Sequence, residues 1–288
     1  MQIVELAAEF LEKYGERRLR PSTLRGYRVN LYNHFLPIVI CEEQVEIDVD
    51  FLDLVTDELH RKGLSNRSIL YVHATVRKMI NYAIRRGYLD QNPYDRFDLP
   101  RAHKYHHRIL FQDEMQRMLD AVQGTELEVP VTMALCYGLR RGECLGIIPV
   151  FDLDVKQCTL HIQRTRSVEN KKTVVTPCKT DESDRFILLR PQHVRMLERA
   201  AARPESACLA CTLTPMQLEH RFKQLLLKHD FPQIRFHDLR HSFATLMLAK
   251  GVNPKIVSSV LGHSGVDVTL DIYSHPDVSM QKACLDAF

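Results

Sequence analysis

Residues 235–245 read RFHDLRHSFAT, a stretch in which two basic side chains stand beside an apolar stripe. His237 and Arg240 are three positions apart, so a helix places them on one face. Leu239, Phe243 and Leu246 follow each other at three- and four-residue steps, the spacing of a helix face packed in a core. The stretch therefore predicts a helix whose buried side lies next to an imidazole and a guanidinium.

The residues that follow predict a second helix and then a tyrosine. Gly251 is placed to end the first helix, and Asn253-Pro254 offers an N-cap and a first-turn proline for the next one. Gly262 ends that second helix directly before His263. Tyr273 stands ten residues beyond His263.

Upstream of this region, two more helices are predicted. Asp113 is a plausible N-cap for the first of them. The second runs from about Val129 to Cys144 and contains the sequence GLRRGE at residues 138–143. Helices thus precede the segment that is richest in strand signals.

Three short segments between these helices have the alternation or the β-branched content of strands. They are 158–162, 172–175 and 185–189. The polar residues 178–184 lie between the last two strands, and this arrangement predicts a hairpin with Lys179 at its tip. We interpret the acidic residues of this polar turn as solvated groups.

The first hundred residues form a separate, helical region with segregated charge. Residues 17–28 hold five arginines and no acid, residues 61–86 hold seven Lys or Arg and no acid, and residues 42–58 hold eight acids and no base. Solvated helix faces would explain either basic run alone. Two such runs together favour a clamp on the DNA backbone, because lysines and arginines that neutralise phosphates release counterions.

The clearest helix of this region begins after Ser65, a plausible N-cap. Its predicted buried stripe comprises Ile69, Val72, Val76, Met79, Ile80 and Ala83. Its opposite face carries Arg67, Tyr71, Lys78 and Arg85. These four side chains, with Arg25 and Arg28, are the candidate DNA-binding residues.

Residues 99–110 separate this region from the rest of the chain. Pro100 breaks any helix, and the stretch contains no acidic residue. We therefore expect a helical DNA-binding domain at 1–98, a basic linker at 99–110 and a catalytic domain with a C-terminal tail at 111–288.

The overall composition excludes several classes of protein. The 288 residues carry a formal net charge of +3, and no apolar run approaches the roughly 18 residues that span a bilayer. We read no signal peptide and expect a cytoplasmic protein without membrane contact. The pair Cys208 and Cys211 has no second pair of ligands at zinc spacing, so no metal is expected.

The motifs in their order resemble the tyrosine recombinases, the phage integrase family. The order is Gly-Leu-Arg-x-x-Glu, Lys-Thr, His-x-x-Arg-His, Leu-Gly-His and Tyr, and it covers most of residues 130–275. The basic region before them is similar to the family's core-DNA-binding domain. The resemblance implies a mainly α fold with a small antiparallel β-sheet, and it extends to integrases of phages and conjugative transposons.

The resemblance also implies catalytic roles. Arg140 and Arg240 would grip the non-bridging oxygens of the scissile phosphate, while Glu143 would brace Arg140. His237 and His263 would hydrogen-bond the phosphate or shuttle protons. Lys179 would protonate the departing 5′ oxygen, and Tyr273 would form a 3′-phosphotyrosyl link.

The chemistry needs these residue types and no cofactor. Guanidiniums stay charged and offer fixed donors to the oxygens of a pentacoordinate phosphorus. One phosphodiester is exchanged for one phosphotyrosine, so ATP is unnecessary, and the sequence contains no Gly-x-x-x-x-Gly-Lys-Ser/Thr loop to bind it. The expected partners are double-stranded DNA with specific sites and, on that DNA, three further copies of a chain that is monomeric when free.

The chain departs from the family's pattern in one respect. It contains no Trp, which many relatives carry in the catalytic core, and we expect local packing changes and no loss of chemistry. Arg141 and His241 adjoin the chosen Arg140 and Arg240, and we interpret them as supporting residues. The leading hypothesis is a Holliday-junction recombinase of a bacterial mobile element or phage. The alternatives are a type IB topoisomerase and a catalytically silent DNA-binding protein.

Overall fold

The computed structural model describes residues 2–43, 46–102, 108–169, 172–178, 181–202, 209–262 and 265. The chain divides into two compact units, residues 1–105 and 106–288. Within the described ranges, no helix combines the length and the apolar character needed to cross a membrane.

The first unit is helical. Its α-helices are α1 Ile3–Glu9, α2 Glu16–Arg18, α3 Pro21–Val29, α4 Leu36–Cys41, α5 Val49–Arg61 and α6 Asn66–Arg85. Two π-helical turns, Phe10–Gly15 and Asn30–Phe35, connect α1 to α2 and α3 to α4. Apolar faces of these helices enclose one core, in which Phe10, Phe35 and Leu52 are fully buried.

Helix α6 has the predicted start and the predicted buried face. The Ser65 hydroxyl accepts a hydrogen bond from the backbone N–H of Ser68, as an N-cap does. All six residues of the predicted stripe are buried. On the opposite face, Arg67, Tyr71 and Arg85 are exposed and Lys78 is half-buried.

The second unit combines eight helices of the described residues with five strands. The helices are α7 Gln112–Val122, α8 Glu128–Tyr137, α9 Arg141–Gly146, α10 Pro149–Asp152, α11 Pro191–Ala201, α12 Pro215–Lys228, α13 Phe236–Ala249 and α14 Pro254–Leu261. The strands are β1 Leu153–Asp154, β2 Thr159–Ile162, β3 Arg164–Glu169, β4 Lys172–Pro177 and β5 Arg185–Leu188. The predicted fold class, mainly α with small antiparallel sheets, is confirmed.

The N-cap of helix α7 lies two residues before the predicted one. Phe111 is the N-cap residue, and Asp113 lies inside the first turn. The carboxylate of Glu114 reaches back to the backbone N–H of Phe111 at 2.9 Å, which satisfies a donor at the helix start. The prediction of Asp113 as the cap is therefore wrong, because Glu114 performs that role from the third helical position.

The predicted helix from Val129 to Cys144 is two helices. Gly138 has a φ of 66° and ends α8 in the left-handed region. A Cβ at this position would lie 2.6 Å from Cδ1 of Phe243 and would also collide with Leu261. The close approach of α13 and α14 thus requires glycine here and interrupts the helix just before Arg140.

The strands are located as predicted but are paired differently. β2 pairs with β1 and β5 in a three-stranded antiparallel sheet, whereas β4 pairs with β3 in a separate two-stranded one. β3 is a strand that the sequence analysis missed. Because β4 and β5 belong to different sheets, the predicted hairpin between them is wrong, and Lys179 itself lies outside the described residues.

The C-terminal helices follow their predicted boundaries. Gly251 has a φ of 75° just beyond α13, and the Asn253 side chain accepts from the N–H of Lys255 at 2.8 Å to begin α14. Gly262 ends α14 with a φ of 67°. His263 and residues 266–288, which include Tyr273 and the tail, lie outside the described residues.

Candidate active site

Arg240 extends from the second turn of α13 into the interior of the catalytic unit. Its side chain is 3% exposed, and Nη1 donates to the carbonyl of Gly138 at 2.6 Å. Its Nη2 is fully buried and has no hydrogen-bond partner among the residues that the structure describes. A buried charged donor without a partner costs free energy, so this group is suited to a negatively charged ligand.

Arg140 lies at the N-terminus of α9, two residues beyond the carbonyl that Arg240 binds. Its Nη2 donates to the carbonyl of Gly262 at 2.7 Å, and its Nη1 donates to Oε1 of Glu143 at 2.7 Å. The other carboxylate oxygen of Glu143 accepts from the backbone N–H of Arg140 at 2.9 Å. Glu143 therefore holds both the main chain and the side chain of Arg140.

Helix α9 is fixed against β3 by two glycines. A Cβ at Gly142 would collide with Oγ1 of Thr165, and one at Gly146 would lie 3.0 Å from the carbonyl oxygen of Arg164. The absence of side chains lets the strand approach the helix closely. This packing fixes the helix that carries Arg140 and Glu143.

A third arginine, Arg185 on β5, completes the cluster, and sequence reasoning missed it. Its Nη1 and Nη2 donate to the two carboxylate oxygens of Glu143 at 3.3 and 3.1 Å. Arg185 is 9% exposed and Glu143 is 3% exposed. The available signal was the strand pattern, because Arg185 is in phase with the buried Ile187 rather than with the exposed Phe186.

The charges of the cluster shift the pKa values of its members. Burial lowers the pKa of Arg240 to about 9, and the nearby charges of Arg140 and Arg185 add to that effect. Burial alone would raise the pKa of Glu143, but Arg185 and Arg140 outweigh it and hold that pKa below its usual value. Because guanidiniums in proteins stay charged, the cluster carries three positive charges and one negative charge.

The remaining predicted catalytic residues are distributed as follows. His237 is exposed on the first turn of α13, one turn before Arg240, and its ring centroid lies 4.9 Å from that of His241. Lys179, His263 and Tyr273 lie outside the described residues. The structure thus brings Arg140 and Arg240 to the same loop, at Gly138, and leaves three predicted residues without a described position.

The predicted DNA-binding residues of the first unit lie on α3 and α6. The guanidinium of Arg67 lies 6.0 Å from the ring centroid of Tyr71, a cation–π distance. Arg28 is paired with Glu16 at 2.7 Å, and Lys78 lies over the ring of Tyr14. Arg25 is exposed on α3.

Helices α3 and α6 are locked together at the π-helical turn that follows α3. The amide of Asn30 donates to the carbonyl of Tyr71 at 3.1 Å and to Oγ1 of Thr75 at 2.8 Å. Side-chain hydrogen bonds therefore hold together the two helices that carry the candidate residues. No group of three or more His, Cys, Asp or Glu suited to a metal ion occurs in the described part of the chain.

Two family models match almost the whole chain. The Phage integrase family model matches residues 108–280, and the Phage integrase SAM-like domain model matches residues 2–104.

Curated relatives align over most of the chain at modest identity. A tyrosine recombinase XerC of Alcanivorax borkumensis is 26% identical over 276 residues, 91% of this chain and 86% of the relative. A tyrosine recombinase XerC-like protein of Caldanaerobacter subterraneus is 27% identical over 254 residues. That match spans 76% of this chain and 65% of the relative, somewhat less than two thirds of its length. The ICEBs1 integrase of Bacillus subtilis is 25% identical over 249 residues, 79% of this chain and 67% of the relative.

Solved structures share the fold. The Tn1549 transposon integrase in complex with a circular intermediate DNA has a TM-score of 0.80 and 18% identity, with 99% of both chains covered. A lambda integrase dimer bound to a COC′ core site has a TM-score of 0.69 and 14% identity, covering 96% of this chain and 79% of that one. At these identities the likeness establishes the fold.

Proposed function

This chain belongs to the phage integrase family of tyrosine recombinases, and we propose that Arg140 and Arg240 of its arginine cluster bind the DNA phosphate that Tyr273 attacks. The protein is an enzyme that cleaves and rejoins DNA strands at specific sites. We further propose that it integrates and excises a bacterial mobile element, with double-stranded DNA as its substrate. Residues 1–98 would clamp the DNA, residues 99–110 would link the units, and residues 111–288 would carry the chemistry.

One observation carries this proposal: the buried Nη2 of Arg240 lacks a partner among the described residues, in a cluster that already has excess positive charge. Three guanidiniums and one carboxylate leave a net charge of +2 at Arg140, Arg185, Arg240 and Glu143. Attack of a phenolate on a phosphodiester gives a pentacoordinate species with a formal charge of −2. The cluster therefore matches the charge of the transition state better than that of the ground state, which is what catalysis requires.

The chemical steps follow from the family's motif and balance without a cofactor. The phenol oxygen of Tyr273 forms a bond to phosphorus, its proton passes to a base, and the bond to the 5′ oxygen breaks. Lys179 gives a proton to that oxygen. His237 and His263 hydrogen-bond the phosphate or carry the phenol's proton. In rejoining, a 5′ hydroxyl attacks the phosphotyrosine and the proton transfers reverse.

The first unit would supply affinity through phosphate contacts. The six candidate residues are Arg25, Arg28, Arg67, Tyr71, Lys78 and Arg85. Cationic side chains on a locked pair of helices neutralise phosphates without reading bases directly. Recombination needs two sites and four strand cleavages, so we propose a homotetramer on DNA formed from chains that are monomeric when free.

Detection of a covalent protein–DNA adduct tests the proposal. DNA retained by the protein is first selected from a random-sequence duplex pool. A panel of duplexes is then made with the selected sequence and a single nick at successive positions, so that cleavage beside the nick releases a short strand and traps the enzyme. We expect a denaturing gel to show an adduct for one or two nick positions.

Tyr273→Phe should abolish this adduct and leave the affinity for DNA unchanged. Tyr88→Phe, which alters an exposed tyrosine of the first unit, is the matched control and should form the adduct at the wild-type rate. A catalytically silent binding protein would form no adduct even as wild type. A type IB topoisomerase would form adducts on unrelated sequences and relax a supercoiled plasmid.

A further inference from the structure

All the hydrogen bonds that the structure describes for Arg185 lie inside the protein. Nε donates to the carbonyl of Val260 at 2.6 Å, and Nη1 donates to the carbonyl of Ser183 at 2.9 Å. Nη1 and Nη2 also bind Glu143, as described above. A side chain that is almost fully buried and makes these four hydrogen bonds is in place to organise its neighbours rather than to touch DNA.

The contact with Glu143 changes the charge that Arg140 presents. A carboxylate in contact with one guanidinium offsets that guanidinium's charge. Screening by water is weak around Glu143, which is buried, although the side chain of Arg140 is 36% exposed. Here Glu143 is shared between two guanidiniums, because Arg185 binds the same two oxygens. With Arg185 as the second counter-ion, Glu143 can orient Arg140 without cancelling the net positive charge.

The contacts with main-chain carbonyls join three segments of the unit. Val260 is in the last turn of α14, Ser183 precedes β5, and Glu143 is on α9. A Cβ at Gly262 would lie 2.9 Å from Nη1 of Arg185 and 2.9 Å from the carbonyl oxygen of Glu182. Arg185 therefore fixes the end of α14, where the Gly262 carbonyl accepts from Arg140.

We propose that Arg185 is a positioning residue that serves as counter-ion to Glu143 and thereby keeps the charge of Arg140 available to the scissile phosphate. This inference rests on the function proposed above. It assigns to Arg185 an effect on the cleavage step that goes beyond its effect on folding. Removing Arg185 should leave Glu143 to neutralise Arg140, whereas removing both Arg185 and Glu143 should free Arg140 again.

The test is a set of variants assayed by the single-turnover rate of adduct formation on the nicked duplex. Arg185→Gln should slow adduct formation about 10- to 100-fold, consistent with the loss of one electrostatic contribution to a phosphoryl-transfer site. Arg185→Lys keeps the charge without the forked geometry. Its rate of adduct formation should lie between the rates of the wild type and of Arg185→Gln. The double variant Arg185→Gln with Glu143→Gln should react at least about fivefold faster than Arg185→Gln alone, because the unneutralised carboxylate is gone.

Arg164→Gln is the matched control. Arg164 contacts Asp152, a carboxylate with a side chain 2% exposed, at 3.3 Å in the same unit. Its loss also leaves a buried carboxylate short of a partner, so it should lower the melting temperature much as Arg185→Gln does. Its rate of adduct formation should stay within about twofold of wild type, which separates a stability effect from an effect on the chemistry.

The outcomes distinguish this inference from the proposed function. If the wild-type chain forms no adduct, the proposed function fails. If the wild type reacts and Arg185→Gln reacts within twofold of it, only the role of Arg185 is wrong. The role is equally overturned if the Glu143→Gln change fails to speed up the Arg185→Gln variant, since the proposal requires that the unpaired Glu143 carboxylate neutralises Arg140 in the single variant.

Discussion

The two units each bury a basic side chain, and they treat it in opposite ways. His73 on α6 is fully buried, and both of its ring nitrogens are hydrogen-bonded, Nε2 to the Thr56 hydroxyl at 2.9 Å and Nδ1 to the Tyr94 hydroxyl at 2.9 Å. Arg240 on α13 is buried to nearly the same extent but leaves Nη2 without a partner in the described structure. A satisfied group stabilises a fold, whereas an unsatisfied charge indicates a ligand.

The hydrogen bonds of His73 specify a neutral ring. The Thr56 hydroxyl donates its single proton to the carbonyl of Leu52, so it accepts from Nε2 of His73. Nδ1 then accepts from the hydroxyl of Tyr94. Burial lowers the pKa of His73 to about 4, which keeps this tautomer uncharged at neutral pH. His73 is a structural group, and Arg240 is the functional counterpart in this comparison.

Within this comparison, the largest expected effect is that of Arg240→Met. The substitution removes a positive charge that faces the phosphate, so the rate of adduct formation should fall about 100- to 1000-fold. The melting temperature should stay at or above that of wild type, because replacing a buried unpaired charge by an apolar side chain is often neutral or stabilising. Single-turnover assays and thermal unfolding measure the two quantities.

His73→Leu is the control variant for Arg240→Met, and the opposite effects are expected from it. It should lower stability, since the Thr56 and Tyr94 hydroxyls lose their shared partner, and it should leave the rate of the cleavage step unchanged. A rate of adduct formation by Arg240→Met within tenfold of the wild-type rate would contradict the assignment of Arg240 as a group that faces the phosphate. So would a loss of folding as large as that caused by His73→Leu.

The second expected effect is a pH dependence of the free energy of unfolding that arises from the titration of His73. Its pKa is lowered from 6.5 to about 4 on folding, so the unfolded chain binds the extra proton first. The contribution of His73 to the free energy of unfolding is therefore complete above pH 6.5 and is lost as the pH falls toward 4. The full loss amounts to about 3 kcal/mol.

Hydrogen exchange of the buried α6 amides, at several urea concentrations, reports the stability of the first unit alone. The stability of the wild type over His73→Gln should shrink between pH 6.5 and pH 4.5, while other titrating groups cancel in the difference. A gap that stays constant over this interval would mean that the folded protein accommodates a charged imidazole, and the contrast with Arg240 would disappear.

The sequence predicted the features that depend on local interactions and missed those that depend on distant ones. The Ser65 cap, the buried stripe of α6 and the ends of α13 and α14 depend on residues within a few positions of each other, and these predictions are confirmed. The break at Gly138 was missed because its cause is the approach of Phe243 and Leu261, more than a hundred residues away. Because the sequence has a helical pattern on both sides of Gly138, it predicted one continuous helix there.

The strand pairing and Arg185 were missed for the same reason. Periodicity locates a strand but does not choose its partner, so the neighbouring strands β4 and β5 were paired with each other instead of with β3 and β2. Arg185 is 42 positions from Glu143, and only the fold shows that its guanidinium donates to the Glu143 carboxylate. The motif residues were chosen by resemblance, and a residue outside the motif has no such signal.

The smallest expected effect concerns an exposed cation, which extends the comparison from buried to solvated charge. Arg67 lies on the exposed face of α6 beside Tyr71. If it contacts one DNA phosphate, Arg67→Gln should reduce the slope of log affinity against log salt by about 0.9, with the same loss on every sequence. Fluorescence anisotropy of labelled duplexes at four or five salt concentrations measures the slope.

Arg61→Gln is the matched change on α5 of the same unit. Arg61 is also exposed, but it is not among the six candidate DNA-binding residues, and its guanidinium is paired with Glu58 at 2.6 Å. The salt slope of this variant should equal that of wild type. If both variants shift the slope equally, general charge and not a defined clamp attracts the DNA. If neither does, α6 faces away from the backbone and the first unit binds through another surface.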